Sequence, residues 1–351
     1  MIHTESLTRH FRVGSETVEA VRGVDLDVAE GELVAFLGPN GAGKSTTLRM
    51  LTSLLPPSSG RAEVAGLDVA RHPAEVRRRI GYIGQKDGAG HNYRVRDELL
   101  MQGRFYGLSR AETAASTDRL LRTLDLEKLG MRKVSTLSGG QKRRLDIALG
   151  LIHSPRLLFL DEPSTGMDPQ NRANLWDHIL RIRAEHGTTI VLTTHYLDEA
   201  DAMAERVVII DHGLVIADDT AERLKHDQAG DRLTVTVRTA DVPAARAVLA
   251  GATTPALAPA GPPATPGGAE PGPAGAWRDT GRRADESVGE RVVPDGRALT
   301  IVVDGATHAL PRILGRLRDA DVDVLAAEPR RPTLDDVFLN LTGRSLREGE
   351  A

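Results

Sequence analysis

The residue types between positions 38 and 46, GPNGAGKST, suit the binding of phosphate groups. The segment follows the apolar run LVAFL, precedes the helix-like run TTLRMLTSLL, and matches the pattern G-x-x-x-x-G-K-[ST]. Its glycines allow backbone N–H groups to approach phosphate oxygens where a Cβ would clash, and the following helix adds the positive end of its dipole. The residues expected to surround the phosphates are Gly38, Pro39, Asn40, Gly41, Ala42, Gly43, Lys44, Ser45 and Thr46.

Two side chains of this loop are expected to have distinct roles. Lys44 would reach the β- and γ-phosphates of a nucleotide as a point charge, and Ser45 would bind Mg²⁺ through its hydroxyl. The pattern alone also occurs in ordinary glycine turns. The strand-like run before it and the helix-like run after it favour the phosphate-binding interpretation.

A pair of acidic residues, Asp161 and Glu162, follows the apolar run LLFL. A buried strand would deliver both carboxylates to its carboxyl end, where the sites of α/β folds form. There Asp161 suits the binding of Mg²⁺, directly or through water, and Glu162 suits orienting or deprotonating an attacking water. Such a pair alone is usually a solvated turn, so its interpretation depends on the phosphate-binding loop.

Two further polar residues end apolar runs. His195 follows TIVLTT and is placed to contact a γ-phosphate or the attacking water, and Gln85 follows GYIG and is placed to reach Mg²⁺ or water. Each is weaker alone than the loop or the acid pair. The chain has 11 histidines, most of which must be ordinary surface or core residues.

The elements that carry these residues are short apolar runs that alternate with helical patterns through the first two-thirds of the chain. This alternation predicts an α/β domain. A chain of 351 residues is long enough for one large domain and a small one.

Composition excludes several classes of protein. The formal net charge of −4 gives no general attraction to nucleic acid, and the absence of cysteine excludes disulfides and Cys-ligated metals. The first residues, MIHTESLTRHF, lack the apolar core of a signal peptide, and no window approaches the ~18 consecutive apolar residues of a membrane span. We therefore expect a soluble protein, or one attached to a membrane only through another molecule.

One segment has no chemistry of its own. LSGGQ, at residues 137–141, contains no acid, base or metal ligand, yet it stands directly before the helix-like run KRRLDIALG. A flexible Ser-Gly-Gly entry to a helix offers backbone N–H groups to an anion. The phosphate-binding loop already fills that role, so the segment raises the question of what it binds.

These motifs, in their order and spacing, resemble those of the ATP-binding subunit of ABC transporters over roughly residues 1 to 228. The matching parts are the P-loop GPNGAGKST, the Q-loop residue Gln85, the signature LSGGQ, the Walker B run LLFLDEP, the D-loop STGMDP and the switch histidine His195. The runs GQKRRLDIALGLIHSPRLLFLDEPSTGMDP, TTHYLDEAD and RRPTLDDVFLNLTG look closest to the daunorubicin-resistance branch, whose members energise small drug or lipid exporters.

The resemblance implies an α/β P-loop NTPase fold for residues 1–229. This fold has a RecA-like core, an antiparallel β-subdomain and a helical signature subdomain at about residues 90–150. Residues 230–345 are expected to form a small C-terminal α+β accessory domain, which stabilises a dimer or contacts a membrane subunit. The Ala/Pro/Gly-rich stretch 251–297 predicts a disordered insert that acts as a spacer. RPTLDDVFLNLTG predicts a helix capped by Thr333, with Asp336 at the capping-box position.

The resemblance also implies a homodimer with ATP held between the P-loop of one copy and the signature of the other. The signature residues expected to bind the partner's nucleotide are Ser138, Gly139, Gly140 and Gln141, with glycine allowing close backbone approach. Asp168 in the D-loop is expected to cross the interface. Phe11 occupies the position of the aromatic residue that stacks on adenine in this family.

The function that follows by resemblance is that of a motor. ATP and Mg²⁺ are the expected cofactors, and hydrolysis in the homodimer powers export of a drug-like or lipid substrate. The substrate would cross the membrane through a separately encoded permease. The coupling helix of this permease would dock on the helical subdomain at the cytoplasmic face of the cell membrane.

Two other classes of protein fit the sequence less well than this motor. A soluble ABC ATPase acting on nucleic acid, ribosomes or protein assembly is disfavoured by the single nucleotide domain and the lack of a basic bias, so no nucleic acid partner is expected. A generic P-loop enzyme such as a small-molecule kinase needs neither signature nor D-loop.

Overall fold

The computed structural model describes residues 1–86, 88–252, 289–293, 296–303 and 305–344. The chain forms two compact units, the first containing residues 1–221 and the second extending from residue 222 to the last described residue. Helix α8 (Ala221–Gln228) fills the interval between this division and the boundary expected after residue 229.

The first unit is built on a six-stranded sheet with the strand order β10-β9-β3-β8-β7-β6. Its strands are β3 (Leu33–Leu37), β6 (Ile80–Ile83), β7 (Leu157–Asp161), β8 (Thr189–Thr194), β9 (Arg206–Asp211) and β10 (Leu214–Asp219). All pair in parallel except β10, which turns back antiparallel on β9. Every residue of β3, β7 and β8 is buried, which explains why these strands are continuous apolar runs in the sequence.

An antiparallel sheet with the order β2-β1-β4-β5 covers the parallel sheet. Its strands are β1 (Ile2–Val13), β2 (Glu16–Val28), β4 (Ser59–Val64) and β5 (Leu67–Asp68). One hydrophobic cluster contains Leu7 and Leu26 from this sheet and Phe36 and Phe159 from the parallel sheet. Because this shared core fixes both sheets, it also fixes the ends of β3 and β7.

Helices complete the first unit. They are α1 (Lys44–Leu51), α2 (Pro73–Arg79), α3 (Val95–Phe105), α4 (Arg110–Thr123), α5 (Gly139–Leu151), α6 (Pro169–His186) and α7 (Leu197–Met203). Helices α3 to α5 form the stretch predicted to be helical. Two of the three, α4 and α5, begin with a capping box, in which the cap serine and the third helical residue bond each other's backbone N–H. The structure neighbours described below confirm the predicted α/β P-loop class.

The second unit contains a four-stranded antiparallel sheet with the order β12-β13-β11-β14. Its elements after α8 are β11 (Arg232–Val237), α9 (Val242–Ala250), β12 (Gly289–Val293), β13 (Gly296–Val302), α10 (Ala306–Asp319), β14 (Val324–Arg330) and α11 (Leu334–Thr342). Alternate residues of β11 share a hydrophobic cluster with α9 and α10. The predicted capping box of α11 is confirmed, since Thr333 and Asp336 each bond the other's backbone N–H.

The prediction of a disordered insert at 251–297 is wrong at its end. Residues 289–293 form β12, and Gly296 and Arg297 begin β13. Register pairs along this hairpin include Gly289 with Thr300 and Val293 with Gly296, so a neighbouring strand supplies the backbone partners that composition does not reveal. Residues 253–288 of the predicted insert lie outside the described residues.

Candidate functional site

The phosphate-binding loop joins β3 to α1, and Lys44 is the first residue of α1. The Lys44 ammonium donates to the carbonyl oxygens of Gly38 at 2.6 Å and of Pro39 at 2.9 Å, and the residue is only 4% exposed. Burial lowers the pKa of Lys44, and the negative charges of Glu162 and Asp161 act in the opposite direction. The cation is therefore already desolvated and held by neutral carbonyls that phosphate oxygens can replace.

Two glycines of this loop are required by close approach of other backbone segments. A Cβ at Gly38 would lie 2.1 Å from the carbonyl oxygen of Ile210, and a Cβ at Gly43 would lie 2.5 Å from that of Ala20. Gly43 also has φ +107° where it precedes α1. The loop is thus shaped by its packing on β2 and β9 as well as by the need to leave room for phosphate.

Asp161, Ser45 and Thr193 form a buried polar cluster at the end of β7. Both hydroxyls donate to Oδ1 of Asp161, Ser45 at 2.8 Å and Thr193 at 2.7 Å. Asp161 is fully buried, and its Oδ2 has no hydrogen-bond partner among the described residues. A buried carboxylate oxygen without a partner is costly, so the cluster fits a cation that would satisfy it.

The donor set of this cluster suits Mg²⁺. It offers a hydroxyl and a carboxylate, and the described residues contain no group of three or more His, Cys, Asp or Glu that could hold a metal by themselves. Mg²⁺ is usually bound by one or two carboxylates together with substrate phosphates and water. The residues present therefore fit a magnesium ion shared with a nucleotide.

Glu162 and His195 come together beside this cluster. Oε2 of Glu162 lies 3.7 Å from Nδ1 of His195, too far for a hydrogen bond, and accepts a bond from the Thr165 hydroxyl at 3.2 Å. Contact with His195 is the main cause that holds the pKa of Glu162 below its usual value, and the charge of Lys44 contributes further. The carboxylate is therefore kept ionised, as a base must be.

The backbone at Glu162 is strained. The residue has φ +47°, in the left-handed region that non-glycine residues seldom occupy. Its N–H is held by Thr193, through the carbonyl oxygen at 3.2 Å and the hydroxyl at 2.9 Å. Such strain persists only where surrounding contacts fix it, and it commonly marks a functional site.

Gln85 and Phe11 are not joined to this cluster. Gln85 follows β6, but its side chain is exposed and has no hydrogen bond to any described residue. Phe11 lies half-buried on β1 opposite Val18, with the Arg9 guanidinium carbon 4.7 Å from its ring centroid.

A cavity of about 540 Å³ lies next to the phosphate-binding loop. It is lined by Val18 and its β2 neighbours, Gly41 and the β9–β10 turn, and Phe11 is not among its lining residues.

The signature and the D-loop meet at two helix N-termini. Ser138 caps α5, where its hydroxyl accepts from Gln141 N at 3.4 Å and Gln141 Oε1 accepts from Ser138 N at 3.0 Å. Asp168 caps α6 by accepting from the backbone and side chain of Asn171 at 3.0 and 2.5 Å. A Cβ at Gly140 would lie 3.1 Å from Asn171 Oδ1, so the two caps are neighbours.

These two caps are separate from the residues around Lys44 and Asp161. Among the described residues, neither Ser138 nor Asp168 forms a hydrogen bond with Lys44, Asp161 or Glu162. Gly139 has no heavy atom within 4 Å of its Cβ position. Within one chain, the predicted residues other than Gln85 and Phe11 therefore form two separate groups. The Lys44 group consists of the phosphate-binding loop with Asp161, Glu162 and His195, and the second group consists of the two caps.

Sequence reasoning missed Thr193 and Arg143. Arg143 is buried on α5, where its guanidinium donates to the carbonyl oxygens of Pro163 at 2.8 Å, Gly84 at 2.6 Å and Asp161 at 3.3 Å. It thereby links the signature helix to the ends of β6 and β7. One signal was present, because Arg143 is spaced four residues from the buried Ile147 and shares its helix face.

Comparisons with known proteins bear on this geometry. Residues 21–165 match the family described as ABC transporter. Daunorubicin resistance ATP-binding protein DrrA3 of Streptomyces coeruleorubidus is 39% identical over 333 residues, covering 95% of this chain and 94% of the relative. The chain belongs to the ABC transporter ATP-binding family.

Other relatives agree with this membership. Doxorubicin resistance ATP-binding protein DrrA of Mycobacterium tuberculosis is 35% identical over 329 residues, covering 94% of this chain and 90% of the relative. Among solved structures, the dimeric ATP-binding cassette MJ0796, in a post-hydrolysis state with ADP and Pi, matches 63% of this chain and 98% of its own, with 25% identity and a TM-score of 0.58.

This ABC subunit is an ATPase, and the predicted likeness to the daunorubicin-resistance branch is confirmed. The predicted motor class is confirmed as well, since its high-coverage relatives are ATP-binding proteins of drug resistance. Among the described residues, no helix has the length and apolar character needed to cross a membrane.

Proposed function

We propose that this ABC ATPase works as a homodimer that drives export of a drug-like or lipid substrate through a separate membrane permease. Relatives named for daunorubicin, doxorubicin and linearmycin resistance support the export of a drug-like substrate. The observation that carries the dimer is the separation of the site into two groups within one chain. One group can bind phosphates and activate water, and the other presents two neighbouring helix N-termini capped by Ser138 and Asp168.

The Lys44 group would bind the triphosphate. Backbone N–H groups of the loop and the Lys44 ammonium would hold the β- and γ-phosphates. Ser45 and Asp161 would hold Mg²⁺, which when bound neutralises charge on the phosphate oxygens. The unpartnered Oδ2 of Asp161 supports this assignment. The adjoining cavity beside Gly41 has room for the sugar and base, with Val18 as an apolar surface.

Glu162 would accept the proton of the attacking water. Its carboxylate is ionised and held by Thr165, and its strained backbone fixes the direction of the side chain. His195, on the neighbouring strand end, would orient the water or the γ-phosphate from the other side of Glu162. The role of Gln85 stays a prediction, since its exposed side chain would have to move inward on nucleotide binding.

The second group would act on the nucleotide of the other copy. Ser138, Gly139 and Gly140 stand at the N-terminus of α5, where N–H groups and the helix dipole attract an anion. Asp168 stands beside them at the start of α6. A head-to-tail pair would bring both to the partner's γ-phosphate. The MJ0796 neighbour, a dimeric cassette with ADP and Pi, supports a paired cassette.

The helical stretch would contact the permease, which places the subunit peripherally on the cytoplasmic face of the membrane. Large apolar side chains are exposed there, with Tyr93 at 54% and Phe105 at 79%. Such exposed aromatic residues are typical of contact surfaces. The second unit would stabilise the dimer or touch the same permease.

Sizing of the Glu162→Gln variant by light scattering tests the dimer. The isosteric amide should bind ATP without removing the γ-phosphate, so saturating Mg-ATP should convert monomer to dimer, and ADP should not. A variant that stays monomeric in Mg-ATP contradicts the sandwich. Co-purification from solubilised membranes tests the export role. A polytopic protein supports it, and recovery of ribosomes or nucleic acid instead contradicts it.

A further inference from the structure

Arg172 is anchored to the D-loop. It is the fourth residue of α6, its N–H donates to the carbonyl oxygen of Asp168 at 3.0 Å, and its Nη2 donates to that of Met167 at 3.3 Å. The position of its guanidinium therefore follows the position of the D-loop backbone.

The same guanidinium lies over the ring of Tyr196. The guanidinium carbon is 4.1 Å from the ring centroid, within the range of a cation–π contact. The Tyr196 ring in turn lies 4.2 Å from the His195 ring, centroid to centroid, at an interplanar angle of 41°. A continuous contact thus runs from the D-loop through Arg172 and Tyr196 to His195.

Glu199 holds this arrangement together. Its side chain is 4% exposed, and Oε1 lies 3.5 Å from Nε of Arg172. Its Oε2 accepts from the Thr194 hydroxyl at 3.0 Å, and the same hydroxyl oxygen accepts from Tyr196 N at 2.9 Å. A buried carboxylate requires a nearby cation, so Glu199 keeps Arg172 against the loop that carries Tyr196 and His195.

We propose that Arg172 and Tyr196 are positioning residues that transmit the position of the D-loop to His195. The inference rests on the proposed function, in which the D-loop contacts the other copy. When dimerisation places the D-loop, the guanidinium fixes the Tyr196 ring, and the ring holds the imidazole beside Glu162, where Nδ1 lies 3.7 Å from the carboxylate. Hydrolysis is thereby linked to closure of the dimer.

Steady-state ATP hydrolysis by the full chain tests this link. Tyr196→Leu and Arg172→Met should each lower kcat by about tenfold, the effect of a misplaced catalytic group, while KM for ATP changes less than about twofold. Tyr196→Phe keeps the aromatic ring, so its kcat should stay close to that of the wild type. Because both residues act through one contact, the double variant Arg172→Met/Tyr196→Leu should be no slower than either single variant.

Controls separate positioning from loss of structure. Arg181→Met removes an exposed arginine from the same helix and should leave kcat unchanged. The Glu162→Gln background should still dimerise in Mg-ATP when it also carries Tyr196→Leu, and the unfolding midpoint should fall by no more than it does for Tyr196→Phe. If a variant loses dimerisation or folding, and its kcat falls only as much as the fraction of folded dimer falls, the positioning role is contradicted.

Two kinds of failure are distinguishable. If Tyr196→Leu turns over ATP normally, or the losses of the two single variants multiply in the double variant, the link is wrong while the proposed function stands. If Glu162→Gln itself fails to dimerise in Mg-ATP, the proposed dimer is wrong and the link falls with it.

Discussion

The two glycine-containing helix starts of the first unit differ in what surrounds them. At the start of α1, Gly43 is buried with φ +107°, no side chain caps the helix, and Ser45 in its first turn donates to Asp161. At the start of α5, Ser138 caps the helix and Gly139 has open space around it. The first helix start is enclosed by its own chain, and the second is open to solvent at Gly139. In the proposed dimer, the second would bind the nucleotide of the other copy.

The largest effect is expected at Glu162, which follows β7 and belongs to the same group as the first helix start. Glu162→Gln should lower kcat by about 10²–10⁴-fold, since it removes the base and keeps the shape. ATP binding should persist, because the amide leaves Lys44 and Asp161 in place. Single-turnover kinetics measure the rate of the hydrolysis step, and the exposed Glu127→Gln serves as control. Near-normal turnover by Glu162→Gln would assign the base elsewhere.

Lys44→Ala should act on binding. Removing a charged donor from the phosphates loses about 1.5–3 kcal/mol, which corresponds to roughly 10- to 100-fold weaker ATP affinity. Titration with a fluorescent ATP analogue measures the Kd, and Lys128→Ala, on an exposed turn, serves as control. An unchanged Kd would show that the loop backbone alone binds the nucleotide.

Alanine substitution at the two glycines compares the helix starts directly. Gly43→Ala should destabilise the fold by about 1–3 kcal/mol, because of its φ and the 2.5 Å approach to the Ala20 carbonyl oxygen. Gly139→Ala should leave stability unchanged or raise it by up to ~1 kcal/mol, while weakening ATP-induced dimerisation. Urea unfolding and light scattering measure the two effects. Equal destabilisation by both substitutions would contradict the difference between an enclosed helix start at Gly43 and an open one at Gly139.

The smallest effect is expected far from both helix starts. Removal of residues 254–288 should change ATPase activity by less than about twofold, because their composition suits a spacer. Removal of 251–297 should cost more stability, since it also deletes β12 and the first residues of β13. A large loss of activity from the shorter deletion would assign those residues a role in the motor.

Much of the first helix start could be predicted from local sequence. A buried parallel strand and a glycine loop each leave a pattern in neighbouring residues, which is why Lys44 and Asp161 could be singled out as candidates. Contacts between distant segments leave no such pattern. Thr193 contacts Asp161 from the neighbouring strand β8, and Arg143 donates to three carbonyl oxygens at the ends of β6 and β7.

Two other features were beyond local patterns for the same reason. Strand β12 exists because β13 pairs with it. The positive φ of Glu162 is imposed by its bonds to Thr193. Local sequence therefore indicated the candidate residues, and tertiary packing determined how each of them is held.

Mixing two inactive variants tests the central claim, that one chain supplies two half-sites. Lys44→Ala weakens nucleotide binding only at the first group, and Gly139→Asp blocks only the second group. At an ATP concentration well below the Kd of Lys44→Ala, each variant alone should therefore hydrolyse little ATP. A mixed dimer joins the intact loop of one to the intact signature of the other. The account predicts that ATPase activity appears on mixing, at about a quarter of the wild-type rate for equal amounts. If the mixture stays inactive while both variants remain folded, the site is not shared between two copies.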